Sequence, residues 1–410
     1  MTVRWAKAVG ILGLMLGLAS CGDVATPGGT DHGPLNPPGT TNPPGTDEPV
    51  TISAPARVAA GGFFTVALRN DGTVWGWGHN SYGQLGDGTD KNDRTSPVQV
   101  KGLSGRVTAI SIGSYHTVAL MNDGTVWTWG ENLQGQLGDG TTTQRITPGR
   151  VPGPSGITAI SAGWHHTMAV ANDGTVWAWG NNSYGQLGNG NTSRHPTARR
   201  IQGLSSVTAI ATGSDHTVAL KNDGSVWAWG NNSNGQIGDG TTTQRTAPVQ
   251  VQGLSGVAAI AVEGKHTVAL KNDGSVWAWG DNQYGQLGDG TNTQRTAPVR
   301  VQGLSGVTAI SSGARHTVAL KSDGSVWAWG YNMYGQVGDG SRNYRATPVQ
   351  VQGLSGVTGI AAGNDHAVAS RSDGTVWTWG YNGFGQLGDG TIPGPNSYSI
   401  SPIQVLDLQL

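Results

Sequence analysis

Short runs of apolar residues that alternate with small or polar ones recur along most of this chain, separated by glycine-rich segments. Residues 257–301 show the pattern clearly, with runs at 257–261, 266–270, 275–280 and 297–301. An alternation with a period of two is typical of β-strands that bury one face. The second and third runs are joined by Asn-Asp-Gly, which favours a tight hairpin turn. The pattern therefore predicts four consecutive antiparallel strands, here lettered A to D.

This four-strand unit occurs seven times in the sequence. Its Asp-Gly turns are spaced by 52 residues at the first step and by 50 at the other five, and they begin at Asp71, Asp123, Asp173, Asp223, Asp273, Asp323 and Asp373. Seven such units predict an all-β fold, a seven-bladed β-propeller with four antiparallel strands per blade. A straight solenoid is not favoured, because the end units do not diverge as capping repeats do.

The sequence leaves two ways of closing the ring. The first unit starts with its strand A near Arg57, and the chain ends in a strand D at 401–405. Each blade can therefore be one continuous segment. Residues 50–53 are an alternative source of an additional closing strand.

Strand C carries two tryptophans in every unit, in the sequence Val-Trp-x-Trp-Gly. Residues two apart on a strand point to the same face, and the residue between these two is always Gly, Ala or Thr. We expect the tryptophans to be structural and to form much of the core between stacked blades. They are Trp75, Trp77, Trp127, Trp129, Trp177, Trp179, Trp227, Trp229, Trp277, Trp279, Trp327, Trp329, Trp377 and Trp379. A light-absorbing or sugar-stacking array is the alternative interpretation.

The first fifty residues differ from the repeats. Residues 1–20 combine a basic start with an apolar run of about a dozen residues, too short for a membrane-spanning helix. The run ends in Leu-Ala-Ser before Cys21, which resembles the bacterial lipoprotein box with its lipidated cysteine. We expect a lipoprotein signal peptide at 1–20, a flexible Pro/Gly/Thr-rich tether at 21–50 and the propeller at 51–410. An ordinary signal peptide with an accidental cysteine is the alternative.

Composition and charge exclude further classes of partner and site. Charged residues make up 12% of the 410 residues, about half the usual globular share, and the formal net charge is −1. A near-neutral chain lacks the basic surface needed to bind phosphate backbones, so nucleic acid is not an expected partner. The single cysteine excludes an internal disulfide and a multi-thiolate metal site.

A histidine begins strand B in six units, and Phe64 replaces it in the first. A shared metal site would need several of these rings within about 2.1 Å of one ion, so we interpret them as structural residues that bind neighbouring backbone. They are His116, His166, His216, His266, His316 and His366. The repeated Asp-Gly pairs, such as the one at Asp239, lack EF-hand ligand spacing and are interpreted as turns. We expect neither a metal nor another cofactor.

Catalytic residues should form a set that occurs once in the chain, and no such set is evident. Glu263, Lys265 and Arg315 do occur once, and we interpret them as solvated surface charges. The sequence therefore predicts a protein that is not an enzyme.

The seven copies differ mainly in the A–B and C–D loops, which emerge together on one face of an up-and-down propeller. Irregular aromatic residues lie in these loops, and such residues often anchor protein interfaces. The candidates for binding a partner are Phe63, Tyr115, Trp164, Tyr331, Tyr344, Tyr381 and Tyr398. A second aromatic set precedes the Gly-Gln motif in five units and is interpreted as structural: Tyr82, Tyr184, Tyr284, Tyr334 and Phe384. The last C–D loop carries an insertion at 392–400, interpreted equally as a plain surface insertion or a contact loop.

Three motifs recur with small variations: His-Thr-Val-Ala-Leu, Asp-Gly-Ser-Val-Trp-Ala-Trp-Gly and Gly-Gln-Leu-Gly-Asp-Gly. They resemble the repeat of the regulator of chromosome condensation family over residues 57 to about 405. The resemblance implies a seven-bladed propeller and leaves the function open. Family activities include nucleotide exchange on a nuclear GTPase, ultraviolet-B sensing in plants and inhibition of β-lactamase by a secreted propeller. The export signal argues against the first, and a single approximate Trp motif at residues 163–167 argues against the second.

We therefore expect a lipid-anchored, extracytoplasmic protein of the bacterial cell envelope. Its monomeric propeller would bind a partner protein through the A–B/C–D face and would contact the membrane only through the lipid. A carbohydrate-binding or hydrolytic envelope propeller is the main alternative. Guanine-nucleotide exchange, implied by the family resemblance alone, is less favoured.

Overall fold

The computed structural model describes residues 57–391, 393–394 and 396–410. This part of the chain forms 28 strands in seven four-stranded sheets, and each sheet is built from four consecutive strands. The sheets are the blades of a propeller, numbered 1 to 7 in chain order. The seven-bladed, all-β architecture predicted from the repeat is confirmed. The described residues contain no helix of the length and apolarity needed to cross a membrane.

Most strands are five or six residues long and pair in antiparallel order A-B-C-D within a blade. Their bounds, from blade 1 to blade 7, are β1 Val58–Ala60, β2 Phe64–Leu68, β3 Val74–Gly78, β4 Arg94–Gln99; β5 Val107–Ile112, β6 His116–Met121, β7 Val126–Gly130, β8 Arg145–Arg150; β9 Ile157–Ala162, β10 His166–Ala171, β11 Val176–Gly180, β12 His195–Arg200; β13 Val207–Thr212, β14 His216–Lys221, β15 Val226–Gly230, β16 Arg245–Gln250; β17 Val257–Val262, β18 His266–Lys271, β19 Val276–Gly280, β20 Arg295–Arg300; β21 Val307–Ser312, β22 His316–Lys321, β23 Val326–Gly330, β24 Arg345–Gln350; β25 Val357–Ala362, β26 His366–Arg371, β27 Val376–Tyr381, β28 Tyr398–Gln404.

Strand D starts earlier than the pattern predicts. In blade 5 it begins at Arg295 rather than at 297, and in blade 7 at Tyr398 rather than at 401. The predicted insertion at 392–400 therefore ends inside a strand, because Tyr398 pairs with Tyr381. Residues 392 and 395 of that insertion lie outside the described residues.

The ring closes by packing between blade 7 and blade 1. The innermost strands of these blades, β25 and β1, contact each other as other neighbouring A strands do. Trp77 of blade 1 is buried in one cluster with Val368 and Val405 of blade 7. Each blade is one continuous segment, so the first of the two predicted modes of closure is present. Residues 50–53, the alternative closing strand, lie outside the described residues.

The two tryptophans of a pair differ in burial. Trp279 is fully buried against blade 4, where its Nε1 donates to the backbone oxygen of Gln236 at 3.0 Å. Trp277 is half-buried at the edge of the same cluster, with the Lys271 ammonium 5.5 Å from its ring centroid. Ala278 between them packs on the other face, in the cluster that holds Trp329 of blade 6. All seven pairs divide in this way, so seven of the fourteen tryptophans are fully buried core and the other seven are half-buried.

The six histidines of strand B are fully buried. In five of them Nε2 lies 2.9–3.1 Å from a threonine Oγ1 of the next blade. Each of these threonines donates its hydrogen to a glutamine backbone oxygen, as Thr217 does to Gln186 at 2.8 Å, so its oxygen accepts from Nε2–H. Burial lowers the pKa of all six histidines to about 3 and keeps the rings neutral.

Two junctions between blades lack this hydrogen bond, and the one between blades 6 and 7 lacks it although its histidine is present. Ala367 stands where the threonine stands elsewhere, and both ring nitrogens of His316 are buried without a partner among the described residues. The histidines therefore connect neighbouring blades at five of the seven junctions, and the remaining two contain Phe64 and the unpartnered His316.

The aspartates of the Asp-Gly motifs form hydrogen bonds and ion pairs with residues close to them in the sequence. In the C–D loop of blade 4, Asp239 accepts from Thr241 at 2.7 Å and forms an ion pair with Arg245 at 2.6 Å. In the B–C turn of blade 5, the Ser275 N–H donates to Asp273 at 2.9 Å. Within the described ranges, no three His, Cys, Asp or Glu side chains are grouped so that they could hold a metal ion.

Candidate functional site

Ten aromatic rings form a continuous row on the A–B/C–D face, here called the aromatic arc. Neighbouring ring centroids in the arc are 4.7–6.5 Å apart. The arc runs from blade 5 through blades 6, 7 and 1 to blade 2 and consists of Tyr284, Tyr344, Tyr331, Tyr334, Tyr381, Phe384, Phe63, His79, Tyr82 and Tyr115. At these centroid distances, aromatic pairs stabilise a structure by more than the burial of their surface area alone.

The arc begins with three mutually packed tyrosines. Tyr331 lies 4.9 Å from Tyr284 and 5.1 Å from Tyr344, measured between ring centroids. The exposed Arg315 places its guanidinium 5.7 Å from the rings of both Tyr284 and Tyr331. Burial raises the pKa of Tyr331 to about 12, so its hydroxyl stays neutral. This end of the arc presents a cation over an aromatic surface.

The arc continues across the junction that closes the ring. Tyr381 and Phe384 of blade 7 contact Phe63 of blade 1 at 6.0 and 5.2 Å, and Phe384 lies 4.7 Å from His79. Tyr381 folds over Gly383, since a Cβ at that glycine would collide with the Tyr381 hydroxyl. The other blades carry a side chain at this position, so Gly383 makes room for Tyr381.

Five of the seven sequence candidates belong to the arc: Phe63, Tyr115, Tyr331, Tyr344 and Tyr381. Trp164 and Tyr398 do not. Trp164 is half-buried in blade 3 with its Nε1 unpartnered among the described residues, and Tyr398 is 39% exposed beside Arg342. Cys21 lies outside the described residues.

Sequence reasoning missed half of the arc. His79 is a member that was not among the candidates. Four residues interpreted as structural, because they precede Gly-Gln in their units, are also members: Tyr82, Tyr284, Tyr334 and Phe384. Tyr184 of blade 3 occupies the same position, is 41% exposed and lies outside the arc. The sequence contains a pattern that could have indicated these members. Most units with an aromatic residue before Gly-Gln also have an aromatic residue in their variable loops.

Charged and ionisable side chains also lie on this face, both beside the arc and away from it. The position just before strand B is held by His165, Asp215, Lys265, Arg315 and Asp365 in blades 3 to 7. His165 Nδ1 lies 3.1 Å from Glu131 Oε2. Burial raises the pKa of Asp215, and it raises the pKa of Asp365 to about 6.

One single-copy charge contradicts its sequence interpretation as a solvated group. Glu263 is buried, and its Oε1 has no hydrogen-bond partner among the described residues. It stands where the other six units have a glycine whose N–H bonds the residue that begins strand B, as Gly213 does with His216 at 2.9 Å. Burial holds the pKa of the Glu263 carboxyl well above its usual value. Lys265 and Arg315, by contrast, are exposed as expected.

A comparison with protein families identifies the repeat. The sequence profile of the RCC1-like domain matches residues 12–202 and 106–408. The chain belongs to the RCC1-like domain family. The resemblance to the regulator of chromosome condensation repeat is thereby confirmed.

Curated relatives of this RCC1-like chain match it over short stretches. The human E3 ubiquitin-protein ligase HERC2 is 51% identical over 87 residues, which are 21% of this chain and 2% of HERC2. The mitochondrial RCC1 domain-containing protein RUG3 of Arabidopsis thaliana is 41% identical over 97 residues, 23% of this chain and 22% of RUG3. The matched stretches thus span under a quarter of either relative.

Solved structures resemble the RCC1-like propeller over most of its length. Human WBSCR16 has a TM-score of 0.73 and 25% identity, covering 81% of this chain and 94% of WBSCR16. Prp20p of Saccharomyces cerevisiae has a TM-score of 0.72 and 23% identity, covering 88% of each chain. Prp20p was characterised for its binding to Gsp1p and histones. The likeness to Prp20p shows the shared fold.

Proposed function

We propose that this RCC1-like propeller is an extracytoplasmic protein-binding scaffold, held at a bacterial membrane by a lipid on Cys21. The aromatic arc carries the proposal. It gathers ten rings from five blades on the face where the repeats differ, while the rest of the scaffold repeats almost unchanged. Tyrosine and other aromatic side chains are enriched at protein interfaces and supply most binding hot spots.

The surroundings of the arc fit a protein partner. Tyr344 is 43% exposed, and Phe63, Tyr115 and Tyr381 are half-buried, so the rings are accessible while held by their neighbours. Rigid aromatic anchors lose little side-chain entropy on binding. Arg315 adds a cation on the same surface, and arginine is a further common anchor.

The repeat supplies replacements that test the arc without disturbing the fold. Asn181 and Asn231 stand in blades 3 and 4 where Tyr331 and Tyr381 stand in blades 6 and 7. We expect the double variant Tyr331→Asn/Tyr381→Asn to keep the circular dichroism spectrum of the folded wild type and to lower the yield of the crosslinked partner at least about tenfold. The measurement is the yield of the photo-crosslinked partner, first identified by mass spectrometry on native envelopes with the wild-type chain.

The matched control is Tyr184→Asn, because Tyr184 is an exposed tyrosine outside the arc and blade 4 carries Asn234 at the same position. This variant should capture the partner as the wild type does. A double variant that crosslinks the partner with undiminished yield contradicts the proposed binding face.

The membrane anchor is tested separately. With an apolar run that is too short to span a bilayer, attachment depends on the lipid at Cys21. We expect Cys21→Ser to move the protein from the membrane fraction to the soluble fraction of its native host, and metabolic labelling with a fatty acid to disappear. Ser20→Ala, which leaves the cysteine in place, is the control. Membrane association that survives Cys21→Ser contradicts the anchor.

A further inference from the structure

The glutamine of the Gly-Gln motif makes two side-chain hydrogen bonds in six of the seven blades. Its Oε1 accepts from the backbone N–H two residues earlier, as Gln336 does from Tyr334 at 2.9 Å. Its Nε2 donates to a side chain either just after strand C or just before strand B of the next blade. The acceptors from blade 1 to blade 6 are His79, Glu131, Asp215, Asn231, Asp281 and Asp365, at 2.7–3.4 Å.

Blade 7 is the exception. Gln386 keeps the first bond, from the Phe384 N–H at 2.9 Å, but its buried Nε2 has no acceptor among the described residues. The two positions that supply acceptors elsewhere are held here by Tyr381 and Phe63. Phenylalanine has no acceptor atom, and the Tyr381 hydroxyl lies over Gly383. Leaving a buried donor without a partner is unfavourable, so this site favours a molecule that brings an acceptor.

The walls of the site are mainly aromatic rings. Phe63, Tyr381 and Phe384 are in mutual contact, with centroids 5.2–6.3 Å apart. His79 lies against Phe384, but its Nδ1 accepts from Gln84 at 2.7 Å, so its Nε2–H donates to Ser81 at 2.8 Å. The site therefore offers the buried Gln386 Nε2–H and the Tyr381 hydroxyl beside flat aromatic rings.

We propose that this end of the aromatic arc binds a proline-rich, extended segment of the partner protein. A carbonyl of that segment accepts from Gln386 Nε2, and its proline rings pack on Phe63, Tyr381 and Phe384. Proline has a carbonyl but no N–H, so such a segment presents acceptors without donors, and aromatic surfaces are how proteins bind extended proline-rich segments.

Entry to the site needs only side-chain motion. The three rings are half-buried rather than enclosed, and rotation of partly exposed side chains takes place within nanoseconds. This inference rests on the proposed function, because it names the kind of segment that the binding face receives.

The test is calorimetric titration of the purified full chain with a decaproline peptide. The comparison probes are a (Gly-Ser)5 peptide and cellohexaose. We expect saturable binding of decaproline alone, weakened at least about tenfold by Gln386→Met. The matched control is Gln236→Met, the same change in blade 4 where Asn231 is the acceptor, and it should leave the affinity within about twofold of the wild type.

A second variant keeps the test decisive if Gln386→Met fails to fold. Phe63→Asp supplies the acceptor that Asp365 supplies to Gln336, so the protein should fold and lose decaproline binding. The inference is overturned if decaproline does not bind the wild type, if both Met variants bind it equally, or if cellohexaose binds in a manner that depends on Gln386. In each of those cases the proposed function still stands provided that Tyr331→Asn/Tyr381→Asn loses the crosslinked partner, which separates the two failures.

Discussion

Replacing Trp279 by alanine is expected to lower the free energy of unfolding by about 3–5 kcal/mol, the loss typical of a large aromatic side chain in a core. Trp279 is fully buried between blades 4 and 5 among Val218, Val226 and Ile237. The change would open a cavity in a stacked interface and remove the bond from Nε1 to the Gln236 oxygen. Urea unfolding followed by circular dichroism measures the effect.

The control is Trp277→Ala, two residues earlier on the same strand. Trp277 is half-buried, its Nε1 donates to Ser275 Oγ at 3.2 Å, and the Lys271 ammonium lies over its ring. We expect a loss of about 1–2 kcal/mol from reduced burial and the lost cation–π contact. Equal losses for the two variants would contradict the division of each tryptophan pair into a core residue and an edge residue.

Glu263→Gly is expected to stabilise the protein by about 1–3 kcal/mol near neutral pH, and by less near pH 4. The change restores the glycine that the other six units carry and removes a buried carboxyl with an unpartnered oxygen. Glycine costs about 0.5–1 kcal/mol in backbone entropy, which is smaller than the expected gain. Thermal and urea unfolding across this pH range measure the difference.

The pH dependence follows from the direction of the pKa shift. Burial raises the pKa of Glu263 in the folded protein above its value in the unfolded chain. Below the unfolded-state pKa both forms are protonated, and the carboxyl has no differential effect. As the pH rises from the usual glutamate range towards the folded-state pKa, the unfolded chain ionises first and gains stability. The wild type should therefore lose stability over this window relative to Glu263→Gly.

Two comparisons isolate the carboxyl from its surroundings. Glu263→Gln removes the titration and keeps the side chain, so its stability relative to Glu263→Gly should not change with pH. The raised pKa values of Asp215 and Asp365 act in the same direction but are common to all three proteins. Parallel stability curves for the wild type and Glu263→Gly would contradict the burial of an ionisable group at this position.

Much of the fold follows from local pattern. The alternation in strands A to C predicts their bounds in blade 5 to within one residue, because period two and an Asn-Asp-Gly turn are properties of a short segment. Strand D was placed less well, since its start depends on pairing with strand C rather than on its own residues. Tyr398 pairs with Tyr381, a contact across the whole last loop.

The candidate site was predicted in part for a similar reason. Comparing the seven units located the variable face and five members of the arc. The comparison did not assign Tyr284 and Phe384 to the site. The sequence around a residue that precedes Gly-Gln does not show which side chains of the neighbouring blade contact it. It also took Glu263 for a surface charge, because burial at a loop depends on the blade packed beside it.

The sequence by itself therefore determined the number of blades, their four strands, and the face on which the repeats differ. Each of these follows from the spacing of motifs along the chain and from comparing the seven units with one another. Tertiary structure alone decided which tryptophan of a pair is buried, that Glu263 lies inside, and that Phe63 meets Tyr381 across more than 300 residues of sequence. It also decided that Gln386 alone in its series lacks an acceptor. These are properties of stacked blades, and contacts between stacked sheets depend on side chains from two distant segments at once.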